Sequence, residues 1–394
     1  MKPLKGVKVI EMGQLIAGPF AGKFFADFGA EVIKIEPPEG DPLRRWRKLH
    51  EGTSLWWHVQ NRGKQSVTLN LRSEAGQAIA RRLIGEADVL IENFRPGALE
   101  KWGLGYDRLA SENPGLVMLR LSGFGQDGPY RDQTGFGSVG ESMGGLRYVT
   151  GTPGEAPVRP NISIGDALAS LHGVIGTMMA LHHRNMNQGK GQVVDVALYE
   201  AVFNMMEGAL PEYAMYGENR EREGTAMSGI APTNTYLTCD RQYIVIGGNG
   251  DSIFKRLMTL IGRDDLGNDP SLADNAGRVV RVKELDLAIG EWTARHTMDE
   301  AVALLTGAQV PNGKIFSMAD ITRDPHYAAR GMIRDILLKD GTVLKVPGVI
   351  PKLAGTPGDV DAIGPDLGEH TDAVLGRHGY DAEEIARFRT EKVV

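Results

Sequence analysis

The chain has 394 residues, 42% of them hydrophobic and 24% charged, with a formal net charge of -6. That length supplies core for one large domain or two, and the mildly acidic balance excludes a general nucleic-acid binder, whose surface needs a lysine and arginine excess. Cys239 is the only cysteine, which excludes an intrachain disulfide and a cysteine-based metal cluster.

Residues 7–11 read as a strand that opens almost at the N-terminus, with no apolar signal segment before it. A loop leads to a helix over 20–28, stopped by Gly29, and 31–36 is the next strand, so the chain begins with a βαβ unit. The pattern repeats: an amphipathic helix over 74–86, a strand over 89–91, helical turns at 99–102 and 106–112, and a strand over 116–121. This alternation predicts an open α/β sheet with helices on its faces, whose ligands bind beyond the carboxyl ends of the strands. Two of those ends are polar and turn-rich, Glu92-Asn93-Phe94-Arg95-Pro96-Gly97 and Ser122-Gly123-Phe124-Gly125-Gln126-Asp127-Gly128-Pro129. An asparagine, an arginine and serial glycines together favour an anionic ligand.

A long apolar helix follows Asp166, then a strand over 192–198 and helical sequence over 199–213. The polar, charged stretch 216–229 reads as a linker. Strands at 235–238 and 243–247 form an expected hairpin, followed by helices at 252–261, 282–293 and 298–306. Short strands at 333–336 and 342–347, a Pro/Gly-rich stretch over 352–368 and two tail helices split at Gly379 complete the chain. The expected segments are therefore 1–215, the linker, 230–330 as a small α+β domain, and 331–394 beyond it. No apolar run reaches the roughly eighteen residues of a membrane span, and a reducing cytoplasm is the expected compartment.

Glycine is abundant, 51 residues, nearly twice the usual share of about 7%. It falls largely at expected turns and loops, among them 137–145 and Gly247-Gly248-Asn249-Gly250. No phosphate-loop motif occurs, and the first βα turn, Gly13-Gln14-Leu15-Ile16-Ala17-Gly18, lacks the dinucleotide fingerprint, which leaves Glu36 little prospect as a ribose-binding acid. His182 and His183 are adjacent on a helix and diverge by about 100 degrees, so they make a poor metal pair, and no metal site is expected. No serine elbow is present. What remains is Asp166. One reading is a helix N-cap; another is a carboxylate nucleophile for an acyl thioester, kept ionised by the helix end. The roles are compatible, and backbone amides near Gly247 and Gly248 would then steady the oxyanion.

Several segments, in order along the whole chain, resemble class III coenzyme A transferases, the family of formyl-CoA and carnitine-CoA transferases. They are Ala17-Gly18-Pro19, Gly29-Ala30-Glu31-Val32-Ile33-Lys34-Ile35-Glu36, Asn61-Arg62-Gly63-Lys64-Gln65-Ser66-Val67, the Asn93 loop, Gly189-Lys190-Gly191-Gln192-Val193-Val194-Asp195 and Gly368-Glu369-His370-Thr371. The resemblance implies a large Rossmann-like domain built from both chain ends, a smaller α+β domain between them, and an interlocked homodimer.

The same resemblance implies that Asp166 is the covalent nucleophile and that the Gly247–Gly248 loop shields or stabilises its intermediates. Coenzyme A, a substrate and not a resident cofactor, would meet Gln14 and Leu15 near its thiol end, with Arg72, Asn93, Phe94, Arg95 and Lys101 along the remainder. The partners implied are an acyl-CoA such as succinyl-CoA and a small carboxylic acid, most readily a dicarboxylate whose far carboxylate Arg44, Arg45, Arg47 or Arg159 would hold. An acyl-CoA racemase or epimerase is the alternative, but the 122–137 stretch lacks the histidine that such enzymes carry there. A non-catalytic CoA-binding protein is the alternative of another class.

Overall fold

The structure is a computed structural model that describes residues 1–394. It forms two compact units, one made of 1–146, 160–207 and 326–394, the other of 147–159 and 208–325. The expected 216–229 linker lies wholly within the second unit.

In the first unit, β1 (Lys8–Glu11) leads through α1 (Ala17–Asp27) to β2 (Glu31–Glu36). A small ladder, β3 (Leu49–His50) and β4 (Thr53–Ser54), and the helix α2 (Leu55–Gln60) precede β5 (Gln65–Thr68). Then come α3 (Glu74–Gly85), β6 (Val89–Glu92), α4 (Ala98–Lys101), α5 (Tyr106–Glu112) and β7 (Val117–Ser122). Finally α6 (Gly137–Met143), α8 (Ile164–Met186), β8 (Val193–Ala197) and α9 (Leu198–Phe203) follow, while the short α7 (Leu146–Val149) starts where the chain passes into the second unit.

The strands make one six-stranded sheet in the order β5-β2-β1-β6-β7-β8, with every pairing parallel. Counted among themselves, these strands follow the doubly wound order in which chain direction across the sheet reverses between the first and fourth, and a crevice opens at that point beyond their carboxyl ends. Here the reversal lies between β1 and β6.

Strand periodicity sorts the core into two layers. Ile10, Leu90 and Met118 face one layer with Ile79, Leu83, Val374, Leu375 and Phe388. Their neighbours Val9, Val89, Ile91, Val117 and Leu119 face the other with Phe25, Ala169, Ala180 and Leu181. The tail helices Thr371–Arg377 and Ala382–Thr390 thus seal one face of a sheet begun at the other end of the chain, as the expected fold requires.

Sequence reading missed β5 and α2, and it took 137–145 for a loop. Seven of those residues are helical as α6, because the glycines there serve packing: a Cβ on Gly140 would stand 2.8 Å from the Leu198 Cβ, and one on Gly144 2.6 Å from the Val202 Cβ.

The second unit contains the antiparallel pair Thr233–Leu237 and Tyr243–Gly247 that the hairpin pattern predicts, plus a third strand, Asn312–Lys314, that was not foreseen. Phe254, Leu257, Leu285, Ile289 and Leu305 from its helices cover that sheet.

By length and composition α8, with a mean hydropathy of 1.4, is apolar enough to cross a membrane. Its Ala169, Gly173, Thr177 and Ala180 are nevertheless buried, and a Cβ on Gly173 would meet Leu119 of β7 at 2.9 Å, so one stripe of this helix is a sheet-packing face.

Candidate active site

The turn that follows β1 is held from both sides at the reversal point. On the β6 side, Asn93 Oδ1 accepts the Gln14 N–H at 2.7 Å while its Nδ2 donates to the Gln14 carbonyl at 2.9 Å. On the β2 side, the buried Asp41 carboxylate accepts the Leu15 N–H at 3.1 and 3.2 Å. Leu15 has φ 62°, a left-handed conformation uncommon for a residue with a β-carbon, and these bonds are what hold it there. Gly13 and Gly18 permit the tightness: a Cβ on either would lie 2.8 Å from the other's Cα.

Below the turn lies a buried ionic cluster. Lys34 reaches Glu11 and Asp41, both at 3.0 Å, and donates to the Gly13 carbonyl at 2.7 Å; Lys64 reaches Glu11 at 2.7 Å. Burial opposes charge on Lys34, but the carboxylates of Glu11 and Asp41 outweigh it and hold its pKa above the ordinary lysine range. Burial lowers Lys64 to about 8 despite the same Glu11. Two cations and two anions balance, and removing any one would strand a charge out of water.

Glu36 is part of this scaffold and does not face a ribose. Its carboxylate accepts two Arg44 bonds at 2.7 Å, the Ser66 hydroxyl at 2.6 Å and the Asp41 N–H at 3.0 Å. Arg44 also stacks 3.6 Å over the Trp57 ring, so it is spent on structure.

The Asn93 loop is braced in turn. Glu92 accepts the Phe94 N–H and the Arg120 Nε, both at 2.7 Å, and Arg120 bridges on to Glu100 of α4 at 2.7 Å. Desolvation pushes the Glu92 carboxyl up to about 7, against the pull of Arg120. Phe94 packs edge-on against Trp102 at 5.2 Å. Arg95 is exposed and donates to Thr134 at 2.9 Å. Arg72, after β5, and Lys101, ending α4, are exposed as well. The structure thus brings Gln14 and Asn93 into contact, with Leu15 next in the same turn, and places Arg72, Arg95 and Lys101 beyond strand carboxyl ends.

Asp166 is not the N-cap. Ser163 holds that position, with Ile164 beginning the helix, and Asp166 sits in its first turn. There the free N–H groups and the helix dipole favour a negative charge. The Ser170 hydroxyl lies 2.7 Å from both the Asp166 and the Ala17 carbonyl oxygens, which ties this turn of α8 to the start of α1 and so to the gripped turn before it. The Asp166 carboxylate rests against bare Gly137 at the start of α6: a Cβ there would stand 2.0 Å from Oδ2 and 2.8 Å from Cγ. His172 is structural, its Nδ1 lying 2.8 Å from the Leu168 carbonyl one turn back.

Gly247 and Gly248 belong to the second unit, and here the expectation needs correction. The Gly247 N–H donates to the Pro311 carbonyl at 2.9 Å and the Gly248 N–H to the Pro232 carbonyl at 2.8 Å. Neither amide is available to an oxyanion. Gly248 is small for packing, since a Cβ would meet Leu257 at 2.6 Å. The buried Arg278 grips the loop by donating to the Asn249 carbonyl at 2.8 Å and to Asp251 at 2.7 Å.

The profile of CoA-transferase family III matches residues 4–371. The chain belongs to that family. It is 45% identical to the succinyl-CoA–D-citramalate CoA-transferase of Chloroflexus aurantiacus, across 100% of this chain and 98% of that one. It is 35% identical to the succinate–glutarate CoA-transferase of Agrobacterium fabrum, across 98% of each. A crystal structure of a CAIB/BAIF family protein from Brucella suis superposes with a TM-score of 0.84 at 35% identity, covering 96% of this chain and 99% of the other. This class III transferase is therefore an enzyme whose substrates include a coenzyme A thioester.

Of residues 41–60, the sequence offered only Arg44, Arg45 and Arg47 as site elements, as candidates for a distal carboxylate. The wider signal was Arg47, Lys48 and Trp56 in one short stretch, but only the fold shows that these form the wall of a cavity of about 450 Å³ with Ile16, Phe20, Leu55, Gln60, Ile162, Ser163 and Ala167.

Proposed function

We propose that this enzyme moves coenzyme A from a short acyl-CoA, succinyl-CoA or a close analogue, to a small dicarboxylate, with Asp166 as the covalent nucleophile. The observation that carries this reading is the Asp166 carboxylate, seated on Gly137 at the head of α8 and tied through Ser170 to the turn that Asn93 and Asp41 grip. A fixed carboxylate near a backbone turn at the sheet's reversal point can meet a thioester delivered there. The relatives named for succinyl-CoA, citramalate and glutarate support the substrate class.

The steps balance without redox change. An Asp166 oxygen attacks the thioester carbonyl, the C–S bond breaks, and a mixed anhydride and CoA thiolate result. The thiolate attacks the aspartyl carbonyl, giving an aspartyl-CoA thioester and releasing the first acid. The acceptor carboxylate attacks that thioester and expels thiolate again, leaving a second anhydride. Thiolate then attacks the acceptor's carbonyl, which forms the new acyl-CoA and frees Asp166. In this reading Gln14 and Leu15 serve the thiol end, the Asn93–Arg95 loop the pantetheine and phosphates, and Arg72 and Lys101 more distant phosphate charge.

A panel of acyl-CoA donors and free acids, read by mass spectrometry, tests the reading. Transfer is expected between succinyl-CoA and dicarboxylates of the malate, citramalate or glutarate type, with oxalate, formate and other simple monocarboxylates slower by an order of magnitude or more. Fastest transfer to a monocarboxylate would overturn the assignment of substrate class.

The reading includes a homodimer, interlocked by the resemblance. Its support is the face of α8 opposite the sheet: Leu171, Ile175, Met178 and Met179 fall at helical spacing and are all exposed, Ile175 by 53% and Met179 by 66%. Val139 and Met143 of α6 are also exposed. A stripe of this size marks an interface, and a second copy of the chain is the expected cover. Sedimentation is expected to give twice the chain mass, and tagged and untagged dimers are expected not to exchange subunits without denaturant. A monomer at micromolar concentration refutes the dimer, and free exchange refutes the interlock.

A further inference from the structure

The cavity beside the head of α8 has a divided chemistry. Ile16, Phe20, Leu55, Trp56, Ile162 and Ala167 supply apolar wall, and Arg47 and Lys48 supply the positive charge. Its volume of about 450 Å³ lies within the usual range of small-molecule sites. Ser163 and Ala167, which line it, are the N-cap and a first-turn residue of the helix that carries Asp166. Ile16 joins the gripped turn to α1, and Gln60 fastens that junction by donating to the Ile16 carbonyl at 3.0 Å.

These cations differ from the arginines just before them in sequence. Arg44 next to them is bound to Glu36 at 2.7 Å and Arg45 donates to the Glu39 carbonyl at 2.8 Å, whereas Arg47 and Lys48 make no ion pair or side-chain hydrogen bond. The Arg47 guanidinium stacks 4.8 Å from the Trp56 ring, which places it on the wall without neutralising it. Its backbone has φ 59°, a left-handed conformation that costs energy in a residue with a β-carbon and is typical of sites where a side chain must be aimed.

We infer that this cavity is the acyl subsite, and that Arg47 with Lys48 binds the far carboxylate of a dicarboxylic acyl group. Methylenes lie along Trp56, Leu55 and Phe20 while the chain's other end is joined to coenzyme A or to residue 166. A guanidinium stacked on an aromatic ring keeps its edge free for a carboxylate. Monocarboxylic acyl groups fill the same wall but leave both cations unmet. The inference rests on the transfer reaction proposed above and narrows it to a specificity device.

The test uses Arg47→Asn, which removes the charge while keeping a residue that tolerates left-handed backbone, together with Lys48→Gln and the double variant. Both positions are exposed, so folding is retained. The readout is the ratio of kcat/KM for succinyl-CoA to that for butyryl-CoA, which differ only in the terminal carboxylate. Loss of charge-assisted bonds is expected to lower the ratio by about 10- to 100-fold in the double variant, with the butyryl-CoA value nearly unchanged and Arg47→Lys restoring part of it.

An equal fall for both thioesters would overturn the inference, because it would assign the cations to coenzyme A phosphates; an unchanged ratio would overturn it too. Binding of the same thioesters to Asp166→Asn protein, which cannot turn over, separates this result from the reaction itself. A succinyl preference there that vanishes with Arg47→Asn upholds the subsite even if no transfer is found. Transfer through Asp166 with no such preference upholds the reaction and refutes the subsite.

Discussion

Asp166→Asn and Asp166→Ala are expected to leave the protein folded and to lower kcat for CoA transfer by about 10³-fold or more, the scale on which removal of a covalent nucleophile acts. The structural cost is small, because Asp166 is a first-turn residue and not the cap of α8; a favourable charge there is worth roughly 0.3–1 kcal/mol. The melting temperature should accordingly move by only a few degrees, on the order expected for such a change in a chain of this size. Wild-type protein incubated with donor should gain covalent mass on the peptide containing residue 166 and release it to hydroxylamine, and the variants should gain none. Turnover within tenfold of wild type in either variant refutes the aspartyl intermediate.

Gly137→Ala is the second. A β-carbon there stands 2.0 Å from the Asp166 Oδ2, far inside contact distance, and the cheapest relief is rotation of the aspartate side chain, not separation of α6 from α8. Catalysis should therefore suffer while the fold survives. We expect kcat to fall by about 100-fold, as when a reacting group is displaced by an ångström or so, with the KM for acyl-CoA changed little because the Asn93 and Gln14 contacts remain. Gly165→Ala makes the contrast: its β-carbon would lie 2.7 Å from the Gly137 carbonyl oxygen, a backbone atom that cannot swing aside, so stability is expected to fall with activity. A Gly137→Ala enzyme with kcat within twofold of wild type would mean that the carboxylate reacts from a different position.

Legibility in the sequence followed the range of the physical signal. The strands β1, β2, β6 and β7 were evident because both faces of a central parallel strand are buried, which leaves an apolar run. The edge strand β5, Gln65-Ser66-Val67-Thr68, carries only one large apolar side chain, and its place beside β2 is set by pairing with a distant segment. Glycine misled in two ways. At 137–145 it marked close helix packing, not a loop, and at Gly247 and Gly248 it suggested free amides that Pro311 and Pro232 in fact occupy. Composition names a glycine, but only its neighbours say whether the missing β-carbon makes room for a ligand, a helix or a turn.

Local pattern and motif, then, made legible the parallel α/β layering, the transferase family and, through the family resemblance, the return of the C-terminal segment to the first unit, since each is written in periodicity or in a run of adjacent residues. The Asn93 clasp on Gln14, the buried Lys34–Glu11–Asp41 cluster beneath it, the bare patch at Gly137 and the Arg47 cavity were not. Each joins side chains far apart in sequence, at distances set by how helices and strands pack, and hydrogen bonds and charge pairs act only across those few ångströms.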